Sequence, residues 1–302
     1  MSIASFKRVE DYIVDWIKDY TKNAGIKTLV INLSGDVDSA LVALLCNKTK
    51  IPTLCVNTPC NSPKEFKRSK NLAKEFNLKT VLIDLKTLCR DITDQVSFHL
   101  YNSRVPYLTE ENSRLELSIN ALKSGLRAPI LSYISKTTNG IVVGTDNRNE
   151  YNLIRYYDKY ACVDINPIAD LFKSEIYELF AYITGIKVGW IDSTSCRSAA
   201  FGPDAAMDIY DAEISTDYWG PSNYSNDVNL TYDEIEWADR QNIRTSIVEN
   251  DKDPVRDLAW QAYSARQRKV IAKIHALEKN SRHKYNPNLP ICNIRNIPGL
   301  VR

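Results

Sequence analysis

The sequence has no Cys-x-x-Cys pair, and its seven cysteines are odd in number. Disulfide frameworks and structural zinc sites need paired or clustered thiols at set spacings, so neither is expected. No N-terminal signal and no long apolar span is present, so the chain reads as cytoplasmic with no membrane-crossing segment. Blocks of one charge sign are also missing. The 39 Lys and Arg are interleaved with 37 Asp and Glu, for a net charge of +2. That mixture describes a solvated surface and not the basic stripe of a nucleic-acid binder. Repeats and low-complexity tracts are absent. What remains is an ordinary globular balance: 302 residues, 44% hydrophobic and 25% charged. This length suits one large α/β domain or two small ones and buries a substantial core.

Periodicity supplies the elements. Phe6, Val9, Ile13, Trp16 and Tyr20 recur at helical spacing and predict an amphipathic first helix. The short apolar runs 28–33, 53–57 and 79–85 read as buried strands, with Cys55 in the second. They alternate with helices over Asp38–Asn47, where Cys46 joins the core, and over 62–76, which opens on the start signal Ser62, Pro63 and Glu65. This β-α-β-α-β order implies a doubly wound parallel sheet with helices on both faces, an α/β fold of Rossmann-like type. Leu115, Ile119, Leu122, Leu126, Ile130 and Ile134 mark a long helix. The run 140–145 is another strand, and 172–183 is a helix closed by Gly185. Residues 187–229 show no period and are rich in Ser, Asp, Asn, Gly and Pro, which predicts a long functional loop. Two further helices are expected near Thr231–Asn242 and Pro254–Glu278. The tail from residue 281 is held extended by its prolines.

The chemistry concentrates at 34-SGDVDS-39, between the first strand and its helix. A helix N-terminus offers free N–H groups and a positive dipole end, and small residues let the backbone wrap an anion. Ser34 and Ser39 add hydroxyl donors, and the Asp38 carboxylate suits a Mg2+ ion carried on pyrophosphate. A plain strand–turn–helix junction capped by Asp36 or Asp38 accounts for the same residues without a ligand.

This segment resembles the Ser-Gly-Gly-x-Asp-Ser signature of the N-type ATP pyrophosphatases. Downstream segments are similar to the NAD synthetases within that group. They are 124–151 with its Gly-Thr-x-x-x-x-Glu, 163-VDINPIADLFKSEIYEL-179, 215-STDYW-219, 231-TYDEIE-236 and 283-HKYNPNLP-290. The order holds over roughly residues 5–290. The resemblance implies an adenine nucleotide alpha-hydrolase-like fold and an ammonia-dependent ligase using ATP and Mg2+. In that reaction ATP adenylylates the carboxylate of deamido-NAD, ammonia attacks, and NAD, AMP and pyrophosphate leave.

The resemblance also assigns residues. Ser34, Gly35, Asp36, Val37, Asp38, Ser39 and Asn57 would contact ATP. Asp38 and Glu150 would hold Mg2+, Lys173 would reach the phosphates, and Thr145 would face ATP or the reacting carboxylate. Arg127, Asp164, His283 and Lys284 would face the dinucleotide, the last two on a closing segment over 281–302. Each has a plainer role open to it: Glu150 and Lys173 as helix surface, Asp164 as a turn residue, Arg127 in a surface ion pair, His283 as tail. Tyr151, Tyr156, Tyr157 and Tyr160 are expected to be helix packing.

Four positions depart from the family pattern. Asp36 replaces the second Gly of the turn, Gly125 replaces an Arg, 159-KYAC-162 replaces Gly-Asp-Gly-Gly, and Tyr224 and Ser225 fall where an Asp-Glu is expected. Extra sequence lies at about 187–206. Another acid substrate, or nucleotide binding without turnover, therefore stays open. No amidase domain is expected, so free ammonia or a partner supplies nitrogen. The resemblance further implies a homodimer, with the first helix and the helix at 111–137 as candidate interface elements.

Overall fold

A computed structural model describes residues 3–59, 63–104, 113–154, 163–188, 200–212, 230–240, 263–281 and 287–300. The first helix, α1 (Ile3–Asn23), is amphipathic as its spacing predicts, and Val9, Ile13 and Ile17 are fully buried. Its apolar face is therefore core.

Four parallel strands follow: β1 (Thr28–Asn32), β2 (Thr53–Asn57), β3 (Thr80–Leu82) and β4 (Gly140–Val142), in the order β3-β2-β1-β4. Residues alternate between the two faces. Leu29, Ile31, Cys55 and Ile141 join one core layer with α1, α2 (Val37–Lys48) and α6 (Lys173–Thr184). Val30, Val56 and Val142 meet Leu131 of α5 (Ser113–Thr137) on the other. Helices on both faces explain why the strands read as continuous apolar runs. Helix α2 is buried from Val37 through Cys46, so it is apolar all round and lies at the centre of the molecule.

The chain leaves β1 for α2 and β2, then α3 (Pro63–Glu75) and β3. It returns through α4 (Leu85–Ser103) and α5 to lay β4 on the opposite side of β1. The strand order reverses between β1 and β4. In open α/β sheets, the crevice beyond the strand ends at such a reversal is where ligands bind. The turn 33–39 and the segment 143–150 both lie there. Beyond β4, a bridge from Val143 to Ile165 and another from Asn166 to Ile291 bring the Asp-Ile-Asn-Pro segment and the tail alongside.

Two sequence expectations are revised. Helix α4 is not marked by periodicity, because only Leu85 and Cys89 are buried while Leu88, Val96, Phe98 and Tyr101 are exposed. The expected loop at 187–229 begins with an antiparallel pair, β5 (Lys187–Val188) with β6 (Ala200–Phe201), followed by α7 (Asp204–Tyr210). These elements are too short to show a period, and residues 189–199 and 213–229 lie outside the described set. Among the described residues the last α-helices are α8 (Tyr232–Arg240) and α9 (Ala265–Ser281), which share a small core of Leu230, Ile235, Val270 and Ile274, and the tail expected to be extended holds a 3-10 turn at Ile294–Asn296. No helix among the described residues is long and apolar enough to cross a membrane.

Candidate active site

The turn after β1 is built on a glycine. Gly35 has φ +100°, and a Cβ there would lie 2.2 Å from the Glu65 carbonyl oxygen on α3. Both the left-handed backbone and the close approach demand a residue without a side chain. Arg68 Nε donates to the Gly35 carbonyl at 3.0 Å, and Asn57 Nδ2 donates to the Leu33 carbonyl at 2.8 Å and to Ser69 Oγ at 2.9 Å. The Asn57 amide hydrogens are thus spent on tying the turn to α3. Gly35→Ala is expected to destabilise the protein by about 2 kcal/mol from the backbone conformation alone, with the steric overlap adding to it. Denaturant unfolding measures this.

Asp36 is the N-cap of α2. Its Oδ1 accepts from Ser39 N at 2.9 Å, and its Oδ2 accepts from the Ser34 hydroxyl at 2.6 Å. The Ser34 and Ser39 hydroxyls are also 2.9 Å apart. The residue that the sequence marks as a charge opposed to phosphate therefore has a structural task, satisfying donors at the helix start. It does so with the same donors that an incoming phosphate would use. Asp36→Gly keeps most of the cap energy, since glycine at an N-cap costs only a few tenths of a kcal/mol. The variant is expected to bind an ATP analogue several-fold more tightly by calorimetry. Weaker binding would mean that the carboxylate helps to hold the nucleotide.

In the first turn of α2, the buried Asp38 accepts from Asn147 Nδ2 at 3.1 Å and forms an ion pair with the Lys173 ammonium. Asn147 ends the turn after β4, and its backbone N–H donates to Glu150 Oε2 at 3.2 Å. Tyr232, at the start of α8, donates its hydroxyl to Glu150 Oε1 at 3.1 Å, and its ring centroid is 5.4 Å from Lys173 Nζ. Burial raises the Asp38 pKa more than Lys173 lowers it. Burial, with Asp38 nearby, pushes Glu150 up to about 8 and Asp146 up to about 6. Burial opposes the Lys173 charge, but Asp38 and Glu150 outweigh it and raise its pKa.

Asp38 and Glu150 thus share one ammonium in a buried space, and the half-buried Asp146 lies near enough to Asp38 to feel its charge. Fully ionised, the group carries two excess negative charges, which a divalent cation would offset. Asp38 and Glu150 are the hard oxygen donors that Mg2+ prefers. Among the described residues, no cluster of three His, Cys, Asp or Glu is arranged to hold a metal unaided. Mg2+ typically takes one or two carboxylates and completes its shell with phosphate oxygens and water, so the residues fit it.

Lys173 is held by a second layer. Its backbone N–H donates to Asn149 Oδ1 at 3.1 Å, while the neighbouring N–H groups of Phe172 and Ser174 donate to Glu175 Oε2 and Glu236 Oε1, each at 2.9 Å. Side chains therefore satisfy the start of α6. Arg148 bonds Asp239 at 2.7 Å and Asp170 at 2.6 Å, and Arg295 from the tail reaches Glu175 at 2.7 Å. The guanidinium groups of Arg148, Arg240 and Arg295 stand 5.1, 4.4 and 5.2 Å from the Phe172 ring centroid. Asp170→Ala leaves two largely buried guanidiniums short of an acceptor and is expected to cost about 3 kcal/mol in denaturant unfolding.

The remaining sequence candidates fall as follows. Thr145 lies in the turn between β4 and Asn147. Asp164 bonds the Val142 N–H at 2.7 Å, extending the sheet edge. Arg127 is half-buried on α5, on the opposite face of the sheet from α2. Tyr151 is buried in the short π-helix Asn149–Ile154, as the helix-packing expectation has it, while Tyr156, Tyr157 and Tyr160 lie outside the described residues, as do His283, Lys284, Tyr224, Ser225 and 159–162. Tyr232, Asn147 and Asn149 were not singled out from sequence. Tyr232 sits inside the matching segment 231–236, the one signal that pointed to it.

A phosphate-type turn at the switch point of a parallel sheet, facing a buried lysine and paired carboxylates, defines an α/β nucleotide-binding protein. A family model described as NAD synthase matches residues 9–287, and the chain belongs to that family. It is 32% identical over 181 residues to an NH(3)-dependent NAD(+) synthetase of Syntrophomonas wolfei, covering 58% of this chain and 68% of the relative. A Mesoplasma florum NH(3)-dependent NAD(+) synthetase is 27% identical over 285 residues, 93% of this chain and 94% of the relative. Among solved structures, an NMN synthetase from Francisella tularensis superposes with a TM-score of 0.68 at 22% identity, covering 96% of this chain and 98% of that one. An NH3-dependent NAD synthetase from Campylobacter jejuni gives 0.61 at 19%, covering 96% and 99%. These two likenesses speak to the fold.

Proposed function

We propose that the protein is a cytoplasmic ligase that converts deamido-NAD to NAD with ATP and ammonia through an acyl-adenylate. The observation that carries this reading is the Asp38–Lys173 pair, set on the turn after β1 and flanked by Glu150. A carboxylate is a poor electrophile, so a leaving group must be installed on it. The substrate carboxylate oxygen attacks the α-phosphorus of ATP, and the bond to pyrophosphate breaks. Charge then builds on the departing pyrophosphate. The N–H groups at the start of α2, the Ser34 and Ser39 hydroxyls and the Lys173 ammonium supply donors where that charge appears. Mg2+ held by Asp38 and Glu150 would neutralise phosphate charge. Asn147, bonded to Asp38, borders the same space, and Thr145, two residues before it, would face ATP or the reacting carboxylate. In the second half, ammonia adds to the acyl carbon, AMP leaves, and a proton is lost.

The test is isotopic. Deamido-NAD carrying 18O in its nicotinate carboxylate should deliver one 18O to AMP, read by mass spectrometry. Label found only in inorganic phosphate, or no transfer, overturns the adenylate. Offering nicotinic acid mononucleotide in parallel tells whether the dinucleotide is needed.

A homodimer is part of this reading. Leu88, Val96, Phe98 and Tyr101 on α4 and Tyr133 on α5 expose apolar surface that a second copy would cover. Light scattering is expected to give twice the chain mass, with Phe98→Asp shifting it toward the monomer.

A further inference from the structure

Tyr232 is the first residue of α8, and a reciprocal cap holds it rigidly. Thr231 N donates to Glu234 Oε2 at 3.0 Å, and Glu234 N donates to Thr231 Oγ1 at 3.2 Å. Arg266 of α9 grips Glu234 through Nε and Nη2, at 2.6 and 2.8 Å. Farther along α8, Glu236 accepts from Ser174 N at 2.9 Å and Ser174 Oγ at 2.7 Å, and Asp239 accepts from Arg148. The helix is therefore anchored to α6 and to the turn after β4 on both sides of the site.

From this anchored position one side chain reaches both groups that matter. Its hydroxyl donates to Glu150 Oε1, while the Asn147 backbone N–H donates to Oε2, so each carboxylate oxygen has one fixed donor. Its ring lies 5.4 Å from the Lys173 ammonium, on which it acts as a cation–π partner. We propose that Tyr232 is a positioning residue for the metal: its hydroxyl fixes the rotamer in which Glu150 presents an oxygen lone pair to a divalent cation shared with Asp38. The proposal rests on the metal-binding reading of Glu150. Outer partners of this kind orient the ligand, and their loss typically costs 10–100-fold in metal affinity. The same contact makes metal binding depend on α8 being docked, although α8 contributes no ligand.

The experiment compares wild type, Tyr232→Phe and Glu150→Gln with two readouts. One is Mn2+ binding to the protein with a non-hydrolysable ATP analogue, followed by electron paramagnetic resonance. The other is the Mg2+ dependence of turnover at saturating ATP. Tyr232→Phe keeps the ring over Lys173 and removes only the hydroxyl. It is expected to weaken Mn2+ binding and raise the apparent Mg2+ constant about tenfold, with turnover restored at high Mg2+. A merely structural loss would lower the thermal unfolding midpoint and leave the metal constants unmoved. Shifted metal constants in Glu150→Gln with none in Tyr232→Phe overturn the role of the tyrosine alone. Unmoved constants in Glu150→Gln overturn the metal reading and the tyrosine's role with it.

Discussion

Asp38→Asn should lower kcat/KM for ATP-dependent amidation about a thousandfold while leaving the fold intact. Asp38 is asked to do two things: hold the metal and fix Lys173. Metal assistance is worth several kcal/mol of charge stabilisation, and each 1.36 kcal/mol is a factor of ten in rate, so the loss of about 4 kcal/mol is the scale expected. Asparagine keeps the shape and still accepts from Asn147 Nδ2, which bonds Asp38 at 3.1 Å. Glu150 remains nearby as a partial counter-charge for the lysine, and its coulombic effect on Lys173 is second only to that of Asp38 among the charges that raise it. The deficit should concentrate in kcat and in the Mg2+ requirement. A variant within threefold of wild type would remove Asp38 from the metal and phosphate chemistry.

Lys173→Met is the second large effect, and it runs in two directions. Activity should fall by about a hundred- to a thousandfold, the range seen when one donor to a developing anion is removed. Product inhibition by pyrophosphate should weaken in parallel, because the same ammonium meets the product. Stability should also fall, by about 3 kcal/mol at neutral pH, since removing one partner of a buried ion pair leaves the other uncompensated. Mg2+ with an ATP analogue should restore part of that stability by bringing positive charge back to Asp38 and Glu150. Denaturant unfolding with and without those ligands measures the difference. A loss of stability without loss of activity would make Lys173 a structural lysine, the plainer role its place on a helix allows.

The parts legible in the sequence are those written in local chemistry. Strand β1, its small-residue turn and the apolar α2 are contiguous, so period, turn residues and burial point the same way over about twenty residues. Helix α4 left no such trace. It has a helix-start residue in Asp84, whose carboxylate accepts from Lys86 N at 2.8 Å, but only Leu85 and Cys89 are buried, and the exposed Leu88, Val96, Phe98 and Tyr101 blur any core stripe. The candidate site was legible as residue types and not as a constellation. Asn147 meets Asp38 across 109 positions, Lys173 across 135, and Tyr232 meets Glu150 across 82. Only the switch-point topology brings those stretches together. Asp36 shows the other limit. Its charge is plain from sequence, but its service as the α2 cap depends on a turn closing back on itself.

The central claim is that this site spends ATP as AMP and pyrophosphate to make an amide. Purified protein given ATP, Mg2+, ammonium and deamido-NAD should release NAD, AMP and pyrophosphate in equal amounts, each dependent on all four additions. Release of ADP and phosphate, or no turnover with the dinucleotide acid, would contradict it.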